Sequence, residues 1–240
     1  MSNPWWLIVL SSFSGAFFAF LFVKIEDYLT RIRTRKKQNY NALVRLEYIG
    51  NENLSIAHDN LFTADDIIRT SNITKSSQQV QINFNRFEDL VIRNDLLSEL
   101  LNIDFINLCF ILNIDARKIN SSLESIMRSY DQINSGVFNR TMSLDNYLEN
   151  LSGFIARLFQ MKKMITGFIE DNITMIATAK VLTKYEKPRF TKFLMVILRN
   201  KNKSLSALTE EIEAEKKILK SQIEEISKKS KQRIDDLLKS

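Results

Sequence analysis

Proline and glycine are scarce in this chain: two prolines and five glycines in 240 residues, where average usage gives about 12 and about 17. So few turn-formers exclude a fold made of many tight turns, and long helices joined by few loops are expected. Cysteine is scarcer still. Cys109 is the single one, which excludes an internal disulfide framework and a multi-cysteine zinc site. Set in the apolar run I-N-L-C-F-I-L, it reads as a small buried hydrophobe rather than a reactive thiol. A chain without disulfides suits a reducing compartment.

The same scarcity limits the chemistry. His58 is the only histidine, so no His/Cys metal site can be assembled. It lies in a polar His-Asp-Asn stretch, and no G-x-S-x-G turn accompanies it, so a Ser/His/Asp triad is not expected. The glycines at 15, 50, 136, 153 and 167 stand singly, which excludes a P-loop or dinucleotide fingerprint. Asp65-Asp66 and Asp235-Asp236 are neighbours in sequence and do not share a helix face. No catalytic, cofactor-binding or metal-binding residue is expected, and no cofactor.

Charge is absent from the beginning of the chain. No Lys, Arg, Asp or Glu precedes Lys24. Residues 4–23, P-W-W-L-I-V-L-S-S-F-S-G-A-F-F-A-F-L-F-V, are uncharged throughout, and as a helix they rise about 30 Å, the thickness of a hydrocarbon core. A cleaved signal has a basic start and a shorter apolar core, so a permanent transmembrane helix is expected over 4–23. Trp5 and Trp6 suit an interfacial aromatic anchor. Ser11, Gly15 and Ala19 recur every fourth residue, with Ser12 and Ala16 on a neighbouring row, and such small-residue ridges let helices approach closely in lipid.

Beyond the apolar run the chain turns basic. Net charge is +6, and residues 24–37 carry six positive against two negative side chains. Arg31, Arg33, Arg35, Lys36 and Lys37 are the candidate contacts to anionic head groups of the inner leaflet. Because Lys/Arg-rich flanks stay inside, the expected topology has residues 1–3 outside and the rest of the chain cytoplasmic, at the inner (plasma) membrane. Basic charge placed beside a span argues for lipid rather than nucleic acid as its partner. The strip K-Y-E-K-P-R-F-T-K-F at 184–193 could stack a base; Phe190 and Phe193 in a core, with the basic residues solvated, is the preferred reading.

The remainder reads as all-α. Residues 24–70 carry helical spacing, as one helix or as two with a kink near Gly50. Residues 71–86 form a polar loop in which Val80, Ile82 and Phe84 alternate with Gln and Asn; such a piece has to pair with another chain or lie against helices. From Arg86 helical rhythm resumes, interrupted by Asn102, Asp104, Asn107 and Asn113, and a helical core domain is expected over 87–200. Asn134-Ser135-Gly136 is a candidate helix stop. Ser143 is a candidate N-cap for a long helix ending near Glu186-Lys187, before Pro188. Residues 190–198 are too few to cross a bilayer. Residues 204–240 form a charged amphipathic helix whose stripe, interrupted by Glu215, suits a coiled coil or docking on its own domain.

Three functions remain open from the sequence. The first is a membrane-anchored interaction or scaffold protein that self-associates or recruits an unknown protein partner. The second is a membrane-perturbing effector whose span oligomerises on a signal sensed by the cytoplasmic domain. The third, least favoured by the residue inventory, is an enzyme with an unrecognised site.

Overall fold

The structure, a computed structural model, describes residues 5–73, 83–90, 103–139, 141–186 and 205–239. The described residues form four helices and one extended segment: α1 (Trp5–Ile73), the segment 83–90, α2 (Ile103–Phe138), α3 (Leu144–Glu186) and α4 (Leu205–Lys239). No strand is present among them. The chain is all-α, as the scarcity of turn-formers implies. Residues 190–198 and most of 71–86 lie outside the described residues.

Helix α1 runs unbroken for 69 residues, about 100 Å at the α-helical rise. Packing begins at Leu43. From there the buried positions step by three and four residues: Leu43, Leu46, Gly50, Asn53, Ala57, Asn60, Ala64 and Ile67. This is a seven-residue repeat, the spacing that keeps one stripe of a helix facing a near-parallel neighbour. Small residues occupy one half of the repeat, Gly50, Ala57 and Ala64, so another backbone can come close. Gly50 therefore does not kink α1. A Cβ there would lie 2.6 Å from Cγ1 of Ile176 and 2.7 Å from Cε of Met175; its glycine serves the approach of α3.

Helix α3 carries the matching stripe: Phe154, Leu158, Met161, Ile165, Phe168, Asn172, Met175, Ala179 and Leu182 are all buried. Asn172 Nδ2 donates to the Gly50 carbonyl at 2.7 Å, and Lys162 pairs with Asp65, so α3 runs antiparallel to α1. Helix α2 packs its own stripe, among it Cys109, Leu112, Ala116, Ile119 and Leu123, on the same helix. The Tyr130 and Phe154 rings lie 5.8 Å apart and Arg157 donates to Ser129 Oγ at 2.6 Å. Helix α3 is thus the central column, and α1 and α2 run parallel to each other along it.

The start of α3 obeys capping chemistry. The Asn146 N–H donates to Ser143 Oγ at 3.3 Å and the Tyr147 N–H to the Ser143 carbonyl at 2.9 Å, so Ser143 is the N-cap. Helix α2 continues two residues past the expected stop, to Phe138. Gly136 sits where Met142 folds back; a Cβ there would meet Met142 Cε at 2.6 Å. Helix α4 docks on the last turns of α3. Leu219 is buried, and Leu208, Ile212 and Ile223 pack against the core. Glu215, which interrupts the apolar stripe, is answered by Lys180 at 3.5 Å and Lys184 at 3.6 Å, and Tyr185 Oη donates to Glu211 at 2.6 Å.

One expectation is corrected. The apolar residues from Arg86 to Leu90 do not begin a helix; they are extended. Phe84, Phe87 and Leu90 recur every third residue, a spacing that imitates one helical face over so short a stretch. Hydrogen bonds from neighbouring helices take the place of helical ones.

Candidate functional site

Two surfaces stand out, one on the exposed first half of α1 and one around residues 83–90. On α1, nine large apolar side chains between Phe13 and Tyr28 are exposed. Trp5 is 74% exposed. Among the described residues nothing lies within 4 Å of a Cβ placed on Gly15, and Ala19 is exposed one turn further on. The side chains of Trp6 and Ser11 lie outside the described residues. Lys24 Nζ sits 5.5 Å from the Phe20 ring centroid, a cation–π contact that folds the first charge back over the apolar run. Arg31, Arg33, Arg35, Lys36 and Lys37 are all exposed, within two turns of one another on α1. Among the described residues no helix is long and apolar enough to cross a membrane; the described side chains of the uncharged run after Trp5 begin at Ser12.

Of the second surface the sequence offered only a short extended piece through Phe84 lying against helices; its extent and its clamp were not foreseen. Residues 83–90 lie between α1 and α2, and four asparagines hold them by their main chain. Asn60 and Asn53 of α1 hold Asn85 and Glu88; Asn120 and Asn113 of α2 hold Phe87 and Leu90. Each side-chain oxygen accepts the N–H of its residue, and each side-chain nitrogen donates to the carbonyl of that same residue. The eight bonds measure 2.7–3.0 Å. An amide side chain used in this way imitates the edge of a neighbouring strand and satisfies main-chain groups that burial would otherwise leave unpaired.

The register comes from two lengths. Seven helical residues advance about 10.5 Å, and three extended residues about 9–10 Å. Asn53 and Asn60 are seven apart, as are Asn113 and Asn120, and each pair holds residues three apart. The segment runs antiparallel to both helices. With one side of the chain turned to α1 and one to α2, every third side chain is buried: Phe84, Phe87 and Leu90 are 6%, 4% and 4% exposed. Phe87 packs edge-on to Phe168, centroids 4.9 Å apart. The polar residues face outward, and two ion pairs line the rim: Arg86 with Glu124 and Asp89 with Arg117, each at 3.1 Å.

Other polar features have local explanations. A shallow cleft between α2 and α3 is lined by Glu124, Ser125, Arg128, Ser129 and Arg157, but Glu124 pairs with Arg128 as well as Arg86, and Arg157 is bonded to Ser129. Among the described residues, buried His58 Nε2 has no hydrogen-bond partner. Burial holds its pKa below the ordinary histidine value, against a smaller opposing pull from Asp59. Cys109 is fully buried, and desolvation pushes its thiol up to about 12, the reverse of a nucleophilic cysteine. Asp171 is raised by burial, then by Asp115 and Glu170. Among the described residues no group of three or more His, Cys, Asp or Glu could hold a metal ion.

Compared with protein-family models, with curated proteins and with solved structures, the chain matches none.

Proposed function

We propose that this chain is a single-pass membrane-anchored helical interaction protein that self-associates. The observation that carries the reading is the stretch of α1 from Phe13 to Tyr28, where, among the described residues, nine large apolar side chains are exposed. A contiguous apolar surface of that kind is a contact surface for lipid or protein. Lipid is favoured by the uncharged sequence around it. Residues 4–23 include eleven Leu, Ile, Val and Phe side chains, which together favour insertion by roughly 3–7 kcal/mol. The exposed arginines and lysines at 31–37 then meet anionic head groups of the inner leaflet, and the bundle lies on the cytoplasmic side. Gly15 and Ala19, one turn apart and open, offer a second copy a close-packing row.

Alkaline carbonate extraction of vesicles from cells producing the full chain tests the anchor: retention in the sediment is expected, and release into the wash overturns it. A reporter fused after Ser240 that is active only outside the cytoplasm overturns the orientation. Gly15→Ile is expected to weaken self-association in a membrane two-hybrid assay; an unchanged signal removes the proposed packing row.

A further inference from the structure

We propose that the cleft formed by α1, α2 and α3 is a binding groove for an extended polypeptide, and that residues 83–90 are its resident, displaceable occupant. The partner is a peptide segment of another protein with apolar side chains at every third position, a basic residue between the first two and an acidic residue between the last two. The inference supplies the interaction surface of the reading above and rests on that reading only for the word interaction; the anchor plays no part in it.

The chemistry of the contacts defines the ligand. All eight clamp bonds go to main-chain N–H and C=O groups, which every non-proline residue possesses. Recognition of an extended chain by its main chain, with pockets for periodic side chains, gives affinity from the first and selectivity from the second. Here the pockets are those of Phe84, Phe87 and Leu90. The rim adds charge selection: Glu124 of α2 faces the basic position and Arg117 the acidic one. The side chains at the positions of Asn85 and Glu88 are exposed and free to vary.

The geometry also makes the occupant exchangeable. Helices α1 and α2 each bury a full stripe on α3, so the walls of the groove stand without the segment. The four asparagines face water when the groove is open, and no buried amide is left unpaired. The chain lengths do not force seating. Asn60 precedes the end of α1 by about 20 Å of helix, whereas the twelve residues from Ile73 to Asn85 can span about 40 Å. The thirteen residues from Leu90 to Ile103 are, by their number alone, enough to span about 43 Å.

The test uses the full chain in mild detergent and a fluorescent synthetic peptide with the sequence of residues 83–90. The variant Phe84→Ser/Phe87→Ser/Leu90→Ser removes the resident's anchors. It is expected to keep its helical circular dichroism and to bind the peptide at least ten-fold more tightly than the unaltered chain. Adding Asn53→Ala and Asn120→Ala, or N-methylating the peptide at the amides of residues 85, 87, 88 and 90, is expected to abolish binding. A folded variant that ignores the peptide overturns the proposal, and so does a variant that loses its helices, because the walls then depend on the occupant. Hydrogen exchange on the unaltered chain gives an independent measurement. The amides of Phe87 and Leu90 are expected to exchange at least a hundred-fold faster than those of Ile165 and Met175; equal protection refutes a displaceable segment. Release by carbonate, in contrast, bears on the anchor alone.

Discussion

Asn120→Ala isolates the clamp in one substitution. Asn120 is 8% exposed; it accepts the Phe87 N–H at 2.8 Å and donates to the Phe87 carbonyl at 3.0 Å. Each such bond contributes about 1 kcal/mol net, so the substitution removes about 2 kcal/mol if water re-pairs the Phe87 groups. Bare N–H and C=O groups in a dry cavity would raise that toward about 4 kcal/mol, but a segment that can leave avoids the larger loss by leaving. Urea unfolding monitored by far-UV circular dichroism is the assay, and a slope of about 2 kcal/mol per molar turns the loss into a midpoint shift of roughly 1 M. Asn150→Ala is the control: its exposed side chain donates to the Asn146 carbonyl and to Met142 Sδ at 3.9 Å, away from the clamp, and a change below about 0.5 kcal/mol is expected. Equal shifts for the two variants would refute the clamp.

The size of the effect is bounded by how strongly the segment docks. Three anchors contribute about 2 kcal/mol each and eight bonds about 1 kcal/mol each, some 14 kcal/mol in all. Ordering eight residues opposes this by about 1.5 kcal/mol each, some 12 kcal/mol. The difference of about 2 kcal/mol describes a segment that is seated yet close to release. The double variant Asn53→Ala/Asn120→Ala therefore should lose no more than the single one, about 2 kcal/mol, because the segment has already detached. Additive losses near 4 kcal/mol would show that the segment is an integral part of the fold.

The packing carries three further expectations. Gly50→Val places a branched side chain where even a Cβ meets Ile176 at 2.6 Å; a loss of about 2–4 kcal/mol in urea unfolding is expected, and a neutral result would deny the close approach of α1 and α3. Cys109, with its thiol pushed up to about 12 by burial, should resist a thiol-specific disulfide reagent at mildly alkaline pH until urea unfolds the chain. The same shift makes stability fall as pH rises above the ordinary thiol range, by up to about 1.4 kcal/mol per pH unit, because only the unfolded chain then readily releases the proton; Cys109→Ala should remove that slope. His58 is held below its ordinary pKa by burial, so the unfolded chain binds the proton first and stability declines as pH falls through the histidine range from about 7 toward 5. His58→Gln should flatten that decline, and an unchanged profile would show that the imidazole is not desolvated.

The helices were legible because their signals are local. Ser143 announces the start of α3 through a cap reaching three residues, and Glu186 ends it two residues before Pro188. The stripe from Leu208 to Ile223 marks the docked face of α4. Gly50 left one helix and a kinked pair equally open, and Gly136 read as a stop two residues early, because a lone glycine in a helical pattern is compatible with a stop, a kink or a close approach, and only the opposing side chain decides; here Ile176 and Met142 are that side chain. On α1, Gly15, Ala19 and the basic residues from 31 to 37 stand out in the sequence by the same local spacing, and all of them are exposed.

The asparagines failed to register for a different reason. In a helix interior Asn reads as an interruption, since its side chain favours caps and turns, and their abundance here passes for composition. Their partners lie 23 to 35 residues away, beyond any spacing rule. The one signal available was arithmetic: Asn53 and Asn60, Asn113 and Asn120, two pairs seven apart in helices whose other buried positions are apolar or small. The segment they hold hides by the same arithmetic, because Phe84, Phe87 and Leu90 repeat every three residues, neither the two of a flat strand nor the 3.6 of a helix. Three extended residues match seven helical ones in length, so the two anomalies are one feature seen from both sides. The match also ends where it should. One repeat beyond each pair stand Leu46 and Ile67 on α1, Ile106 and Met127 on α2, none able to hold a main chain. The groove therefore holds the main chain of four residues, and a longer partner gains nothing more from the clamp.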